Sequence, residues 1–83
     1  DAVYGAYTET QRAVIHEGWK LILYPRAKVA KLFHLTEDPL ETKNLAADPN
    51  LADRKKALFA KFQELQERYN DDLDLENVFP ELK

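Results

Sequence analysis

The sequence predicts an α+β unit: a small antiparallel β-sheet of three or four strands, running as a meander, packed against one long C-terminal α-helix. Three observations carry that expectation. Residues 12–24 read as two strands around a glycine, residues 31–35 read as a further strand, and from about position 49 the apolar residues recur at helical spacing. With 83 residues, the chain lies near the lower end of single-domain size, where folding buries only roughly 60% of the surface of the unfolded chain. One small core is expected, and 1–83 is read as one unit.

The elements follow in chain order. Residues 1–11 form a polar and aromatic approach with few obligations to the core. Arg12 to His16 and Trp19 to Tyr24 make a hairpin, with Gly18 in the left-handed position of a short loop closed by a bulge. Trp19, Leu21 and Leu23 share one face of the second strand while Lys20, Ile22 and Tyr24 share the other, so both faces are partly apolar and the strand is central. Pro25 ends it, because proline has no amide proton for the ladder. Residues 12–35 thus hold the sheet.

Residues 36–48 read as a capped turn. Asp38 has the place of an N-terminal cap, Pro39 the first helical position, and Glu41 the position that reaches back, giving one helical turn before Asn44. Asp48 with Pro49 then opens the main helix, over about 49–70. Leu51, Leu58, Phe62, Leu65 and Tyr69 line its buried stripe, and Lys56, Glu64, Glu67 and Arg68 point away. Residues 71–83 form an acidic, irregular tail whose Leu73, Leu75, Val78, Phe79 and Leu82 are available to dock on a neighbouring surface.

Composition excludes several chemistries. There is no cysteine, so neither disulfides nor thiolate metal sites arise, and there is no serine either, which leaves threonine, lysine and carboxylates as nucleophiles. A formal charge of −3 offers no field for nucleic acid, and the basic run at 54–56 reads as a solvated helix face. No apolar run is long enough to span a bilayer.

Four groups of residues are candidates for chemistry. Asn70, Asp72, Asp74, Glu76 and Glu81 follow the ligand spacing of a calcium loop, but Leu75 stands where the loop needs glycine, and a solvated tail is the default. His16 and His34 make a conceivable metal or acid–base pair, with half-exposed strand positions as the alternative. Tyr7, Gln11 and Arg12 carry a flat ring and directional donors suited to sugar hydroxyls or an anion. Arg12 has a second reading, as the partner of a carboxylate beneath the sheet.

The fourth group is the stretch Leu32-Phe33-His34-Leu35-Thr36-Glu37-Asp38-Pro39-Leu40-Glu41-Thr42-Lys43-Asn44-Leu45. It resembles the Leu-Tyr-Asp-Leu…Asp-Pro-x-Glu-x-x-Asn-Leu signature near the C-terminus of sulfatases, with Phe33 and His34 departing from it. Gln11-Arg12-Ala13-Val14, Gly18-Trp19-Lys20-Leu21-Ile22 and the terminal helix extend the likeness over nearly the whole chain, to the C-terminal subdomain of sulfatases related to N-sulfoglucosamine sulfohydrolase. That family belongs to the alkaline-phosphatase-like hydrolases. The resemblance implies an upstream catalytic domain with calcium and a formylglycine made from cysteine or serine, a sulfated small molecule or glycan as substrate, and a periplasmic or secreted location. This chain holds neither precursor, so on its own it is expected to be inactive and to help shape the substrate cleft, with Tyr7, Gln11 and Arg12 as the residues facing substrate. The alternatives are a stand-alone protein-interaction module and the same subdomain of a phosphate or phosphonate monoester hydrolase. An isolated piece of this kind is expected to be marginally stable or to self-associate through the surface meant for the larger domain.

Overall fold

Among the described residues four antiparallel strands lie in the order β1-β2-β3-β4 and a single long helix, α1, packs across one face. The computed structural model describes residues 2–6 and 11–83. The strands are β1 (Ala2–Ala6), β2 (Arg12–His16), β3 (Trp19–Tyr24) and β4 (Val29–His34), each paired with its sequence neighbour, and α1 spans Ala52–Arg68. The α+β meander read from the sequence is therefore the observed architecture.

The register sorts the side chains. Tyr4, Val14, Leu21 and Leu32 lie in one cross-strand row, and with Leu23 they face the helix side chains Leu58, Phe59, Phe62 and Leu65. Burying each of these large side chains contributes about 1.5 to 3 kcal/mol, far more than any surface pair. The opposite face carries its own smaller cluster, Ala13, Ile22 and Phe33, flanked by Tyr24 and Leu35. A strand apolar on both sides is thus covered on both sides.

Several expectations are corrected. The approach segment is not free up to Arg12: Ala2–Ala6 adds an edge strand to β2, with Ala2 and Tyr4 against the core. Two alanines and a glycine gave it weak strand propensity, and its stability comes from pairing. The β2–β3 connection has no bulge, since His16 pairs with Trp19 and both intervening residues, Glu17 (φ 53°) and Gly18 (φ 81°), are left-handed. That is the two-residue turn whose twist matches the strands. The last strand starts at Val29, not 31, because a four-residue loop, closed by the Lys28 amide on the Pro25 carbonyl at 3.2 Å, already sets Tyr24 against Val29.

The helix opens with a short 3-10 turn, Pro49–Leu51, where the Asp48 side chain accepts the Asn50 amide at 2.9 Å. On the buried stripe Phe59 joins Leu58, Phe62 and Leu65, whereas Tyr69 is 61% exposed. The basic run is not wholly solvated either: Arg54 lies over the Trp19 ring and Lys55 donates to the Ala46 carbonyl.

The largest correction concerns the tail. Leu75, Phe79 and Leu82 are buried in the same core as the helix and sheet, with Leu73 and Val78 packed beside them. These side chains are spent within the chain and are not left for a neighbouring surface. Gln66 holds the segment by donating to the Leu73 carbonyl at 3.1 Å, and Gln63 donates to Glu76 at 2.6 Å.

Candidate functional site: the Arg12 clamp and the signature loop

The clamp begins with how α1 stops. Asn70 adopts φ 56°, the Asp71 amide donates to the Gln66 carbonyl at 2.8 Å, and the Asn70 amide donates to the Glu67 carbonyl at 3.3 Å. This is a Schellman ending, with asparagine in the place glycine usually takes. It turns the chain back beneath the sheet and delivers the Asp71 carboxylate to β2.

There Arg12 waits on the helix-facing side of β2. Its Nε donates to Asp71 Oδ2 at 2.6 Å, one terminal nitrogen donates to Oδ1 at 3.3 Å, and the other donates to the Gln11 carbonyl at 3.1 Å. The Tyr4 hydroxyl donates to the same carboxylate, and the Asp71 Oδ1 also accepts the Leu73 amide at 3.2 Å. The Tyr4 ring meets Phe62 edge-on at 5.2 Å and stacks on Tyr69 at 5.7 Å. Tyr69, exposed on the helix, thus has a ring partner after all.

Only 10% of the Arg12 side chain and 14% of the Asp71 side chain reach solvent. Hydrogen bonding from Arg12 outweighs burial and pulls the Asp71 carboxyl down to about 2. The Arg12 guanidinium is raised, first by its hydrogen bond to Asp71, and the Tyr4 phenol is raised, first by burial and then by Asp71. Of the two roles read for Arg12, the pairing with a carboxylate beneath the sheet is the one observed. Gln11 stands half-buried beside it, its carbonyl fixed by Arg12. Tyr7 lies outside the described residues.

The signature stretch forms a second built unit, and each of its polar residues has its own task. Asp38 accepts the Thr42 amide at 3.0 Å, the Thr42 hydroxyl at 2.9 Å and the Lys43 amide at 2.9 Å. Those bonds, the Thr42 amide first, hold its carboxyl below the usual range. The expected helical turn is absent: Glu41 has φ 55° and its carboxylate, rather than reaching back, takes Lys20 Nζ at 2.9 and 3.1 Å. Asn44 accepts the Leu32 and Ala46 amides, both at 3.0 Å, while the Leu45 amide donates to the Leu32 carbonyl at 2.8 Å. Asn44 and Leu45 therefore finish the β4 edge, which would otherwise expose unpaired backbone groups.

The two histidines are not a pair. His16, Trp19 and His34 occupy one cross-strand row, with the indole in the middle, so the imidazoles stand about two strand spacings, roughly 10 Å, apart. His34 stacks on Trp19 at 4.1 Å and its Nδ1 lies 3.2 Å from Glu37, while His16 Nε2 lies 3.3 Å from Glu17. The calcium-like spacing is also dispersed. Asn70 stops the helix, Asp74 caps Asn77, Glu76 meets Gln63, and Leu75 is in the core. Among the described residues no three side chains of suitable type converge to hold a metal ion. With no cysteine or serine for formylglycine either, these residues do not fit the calcium and formylglycine of the sulfatase family, and no chemical step is assigned to them.

Two surface depressions lie among the described residues. One, of about 360 Å³, lies between the end of α1 and the tail and is lined by Glu67, Asp71, Asp72, Asp74 and Glu76 among others. Its carboxylates repel an anionic substrate. The other, of about 380 Å³, holds Lys61 and Arg68, but both lean on Glu64, at 3.1 and 3.9 Å.

No described helix is long and apolar enough to cross a membrane. Comparison with protein-family models finds no match, and comparison with curated proteins finds none either.

Proposed function

We propose that the chain is the C-terminal subdomain of a sulfatase, a sulfuric ester hydrolase, which completes the fold of the parent enzyme and forms part of the wall of its substrate cleft. The observation that supports this reading is the signature loop. Asp38, Glu41 and Asn44, the polar positions of the resemblance, each make a distinct bond that ties the loop to itself, to Lys20 and to the edge of β4. That each of these positions has its own bond is what supports the reading.

In this reading the parent's upstream domain cleaves the ester, its calcium and formylglycine supplying the nucleophile and the charge stabilisation, in a periplasmic or secreted setting. The substrate is a sulfated small molecule or glycan. This chain contributes orientation, which for a well-held substrate is worth several kcal/mol of barrier. Tyr7 and Gln11 are its substrate-facing residues. Arg12 acts from behind as a positioning residue, through the Gln11 carbonyl that it holds.

The test is the full-length gene product, assayed on aryl sulfate, aryl phosphate and aryl phosphonate esters, with mass spectrometry for formylglycine. Turnover of the sulfate supports the sulfatase, whereas turnover of phosphate or phosphonate alone selects the related hydrolase. A gene with no upstream hydrolase domain sinks both and leaves the interaction module. In an active parent, Gln11→Ala is expected to raise KM for sulfated sugars about two- to tenfold, the range for one lost hydrogen bond, with kcat little changed. An unchanged profile removes the cleft role.

A further inference from the structure

The end of the β3–β4 hairpin is basic. Residues 18–36 contain Lys20, Arg26, Lys28 and Lys31 and no carboxylate, in a chain of formal charge −3. Lys20 is taken by Glu41 at the far end of β3. Arg26, Lys28 and Lys31 make no ion pair among the described residues, although acids outnumber bases in the chain.

The three cations are displayed on ordered backbone. The turn is closed by the Lys28 amide on the Pro25 carbonyl, Lys28 itself is left-handed at φ 54°, and Lys31 Nζ rests 5.4 Å over the Tyr24 ring. Lys31 lies two residues along β4 from Val29, about 7 Å, so the three cations span the turn and the first residues of β4. Cations spaced along a turn and strand fit a ligand with repeated anionic groups. Arg26 adds a planar fork suited to a sulfate or carboxylate edge.

From these features we infer that the tip of the β3–β4 hairpin binds a sulfated polysaccharide chain, through Arg26, Lys28 and Lys31. Nucleic acid is disfavoured because single strands need stacking platforms, and the one ring at this end, Tyr24, is half-buried beneath Lys31. A membrane surface is disfavoured because the exposed apolar side chains between the cations are Ala27 and Val29, with no aromatic or long aliphatic wedge to insert. The choice of sulfate over other anionic groups rests on the sulfatase reading. The spaced cations do not.

The test is an amide chemical-shift titration of the 83-residue chain with a heparin-derived hexasaccharide, its desulfated counterpart, single-stranded RNA and anionic vesicles. Shifts are expected over 24–31 with the sulfated sugar. Neutralising three charges predicts an affinity loss of about ten- to fortyfold between about 50 and about 200 mM salt. The double variant Arg26→Glu/Lys28→Glu, exposed and outside the core, should lose at least about tenfold in affinity without a shift in melting temperature, while the exposed helix control Lys56→Glu should not.

Shifts centred on 54–56, equal binding of the desulfated sugar, or tighter binding of RNA or vesicles would overturn the assignment. Binding is read on this chain without turnover, so its failure is separate from that of the enzyme reading: a parent that hydrolyses no sulfate ester leaves a measured hairpin affinity intact.

Discussion

Asp71 joins parts of the chain far apart in sequence, because its one carboxylate serves Tyr4, Arg12 and the Leu73 amide. Its depressed value of about 2 lies below that of an unfolded aspartate, so the unfolded chain takes up the proton first as pH drops. The associated stability is complete above about pH 4 and is lost as pH falls towards about 2; after solvent screening it amounts to about 1 to 2 kcal/mol. Asp71→Asn should remove most of that acid dependence and, at pH 7, cost about 2 to 3 kcal/mol by leaving a largely buried guanidinium without its counterion. Urea unfolding at pH 7 and pH 3 measures both, and equal acid sensitivity in the two proteins would refute the assignment. Sequence alone showed that Arg12 could have such a partner, but not which one, since 59 positions separate them. Asn70, a residue that tolerates the left-handed helix stop, was the available signal. Glu17 is a smaller case, left-handed at φ 53° without being glycine or asparagine. Glu17→Asn should therefore stabilise by about 0.5 kcal/mol, whereas Gly18→Ala should destabilise by about 1 to 2 kcal/mol, because an added Cβ would come within 2.7 Å of Thr36 Oγ1 at a strained φ. Thermal melts of the two variants should move in opposite directions.

Among the elements, the stretch after α1 behaves least as its pattern suggests. It has no sustained period, so nothing in its spacing shows that Leu75, Phe79 and Leu82 enter the core. The helix, by contrast, was legible from its spacing, and the hairpin from Gly18, because local geometry repeats in sequence while the docking of irregular chain does not. Phe79→Ala should cost about 3 to 5 kcal/mol, the range for a fully buried phenylalanine, and a chain ending before Leu75 should fail to unfold cooperatively. A shift in melting temperature of only a degree or two would mean that the segment is peripheral. The signature loop tests the same point with polar bonds. Asn44→Ala strips two backbone amides of their acceptor, one of them on the edge of β4, and should cost about 1 to 2 kcal/mol. Its motif spacing was visible in the sequence. The bonding was not, because the expected cap geometry presumed a helical turn that a left-handed Glu41 interrupts.

At the scale of the molecule, the question is how a unit with two apolar sheet faces meets water. The chain's radius of gyration is 11.8 Å, which matches the roughly 12 Å expected of a compactly folded chain of this length. Among the described residues the exposed large apolar side chains are Val3, Val29, Leu40 and Tyr69, and they are scattered. Val3 and Val29 lie on strands at opposite edges of the sheet, Leu40 tops the signature loop, and Tyr69 ends the helix. Single exposed apolar residues of this kind do not make a sticky patch. Among the described residues no contiguous apolar patch is left to drive the self-association expected of a fragment torn from an apolar interface. The isolated chain should accordingly sediment as a monomer at about 100 μM and unfold in one transition by both far- and near-ultraviolet dichroism, as small domains do. Leu40, at 83% exposed, supplies the sharper comparison: Leu40→Asp should leave the melting temperature of this chain within about a degree, since it touches no core. A dimer abolished by that substitution would show that the loop tip is an association surface.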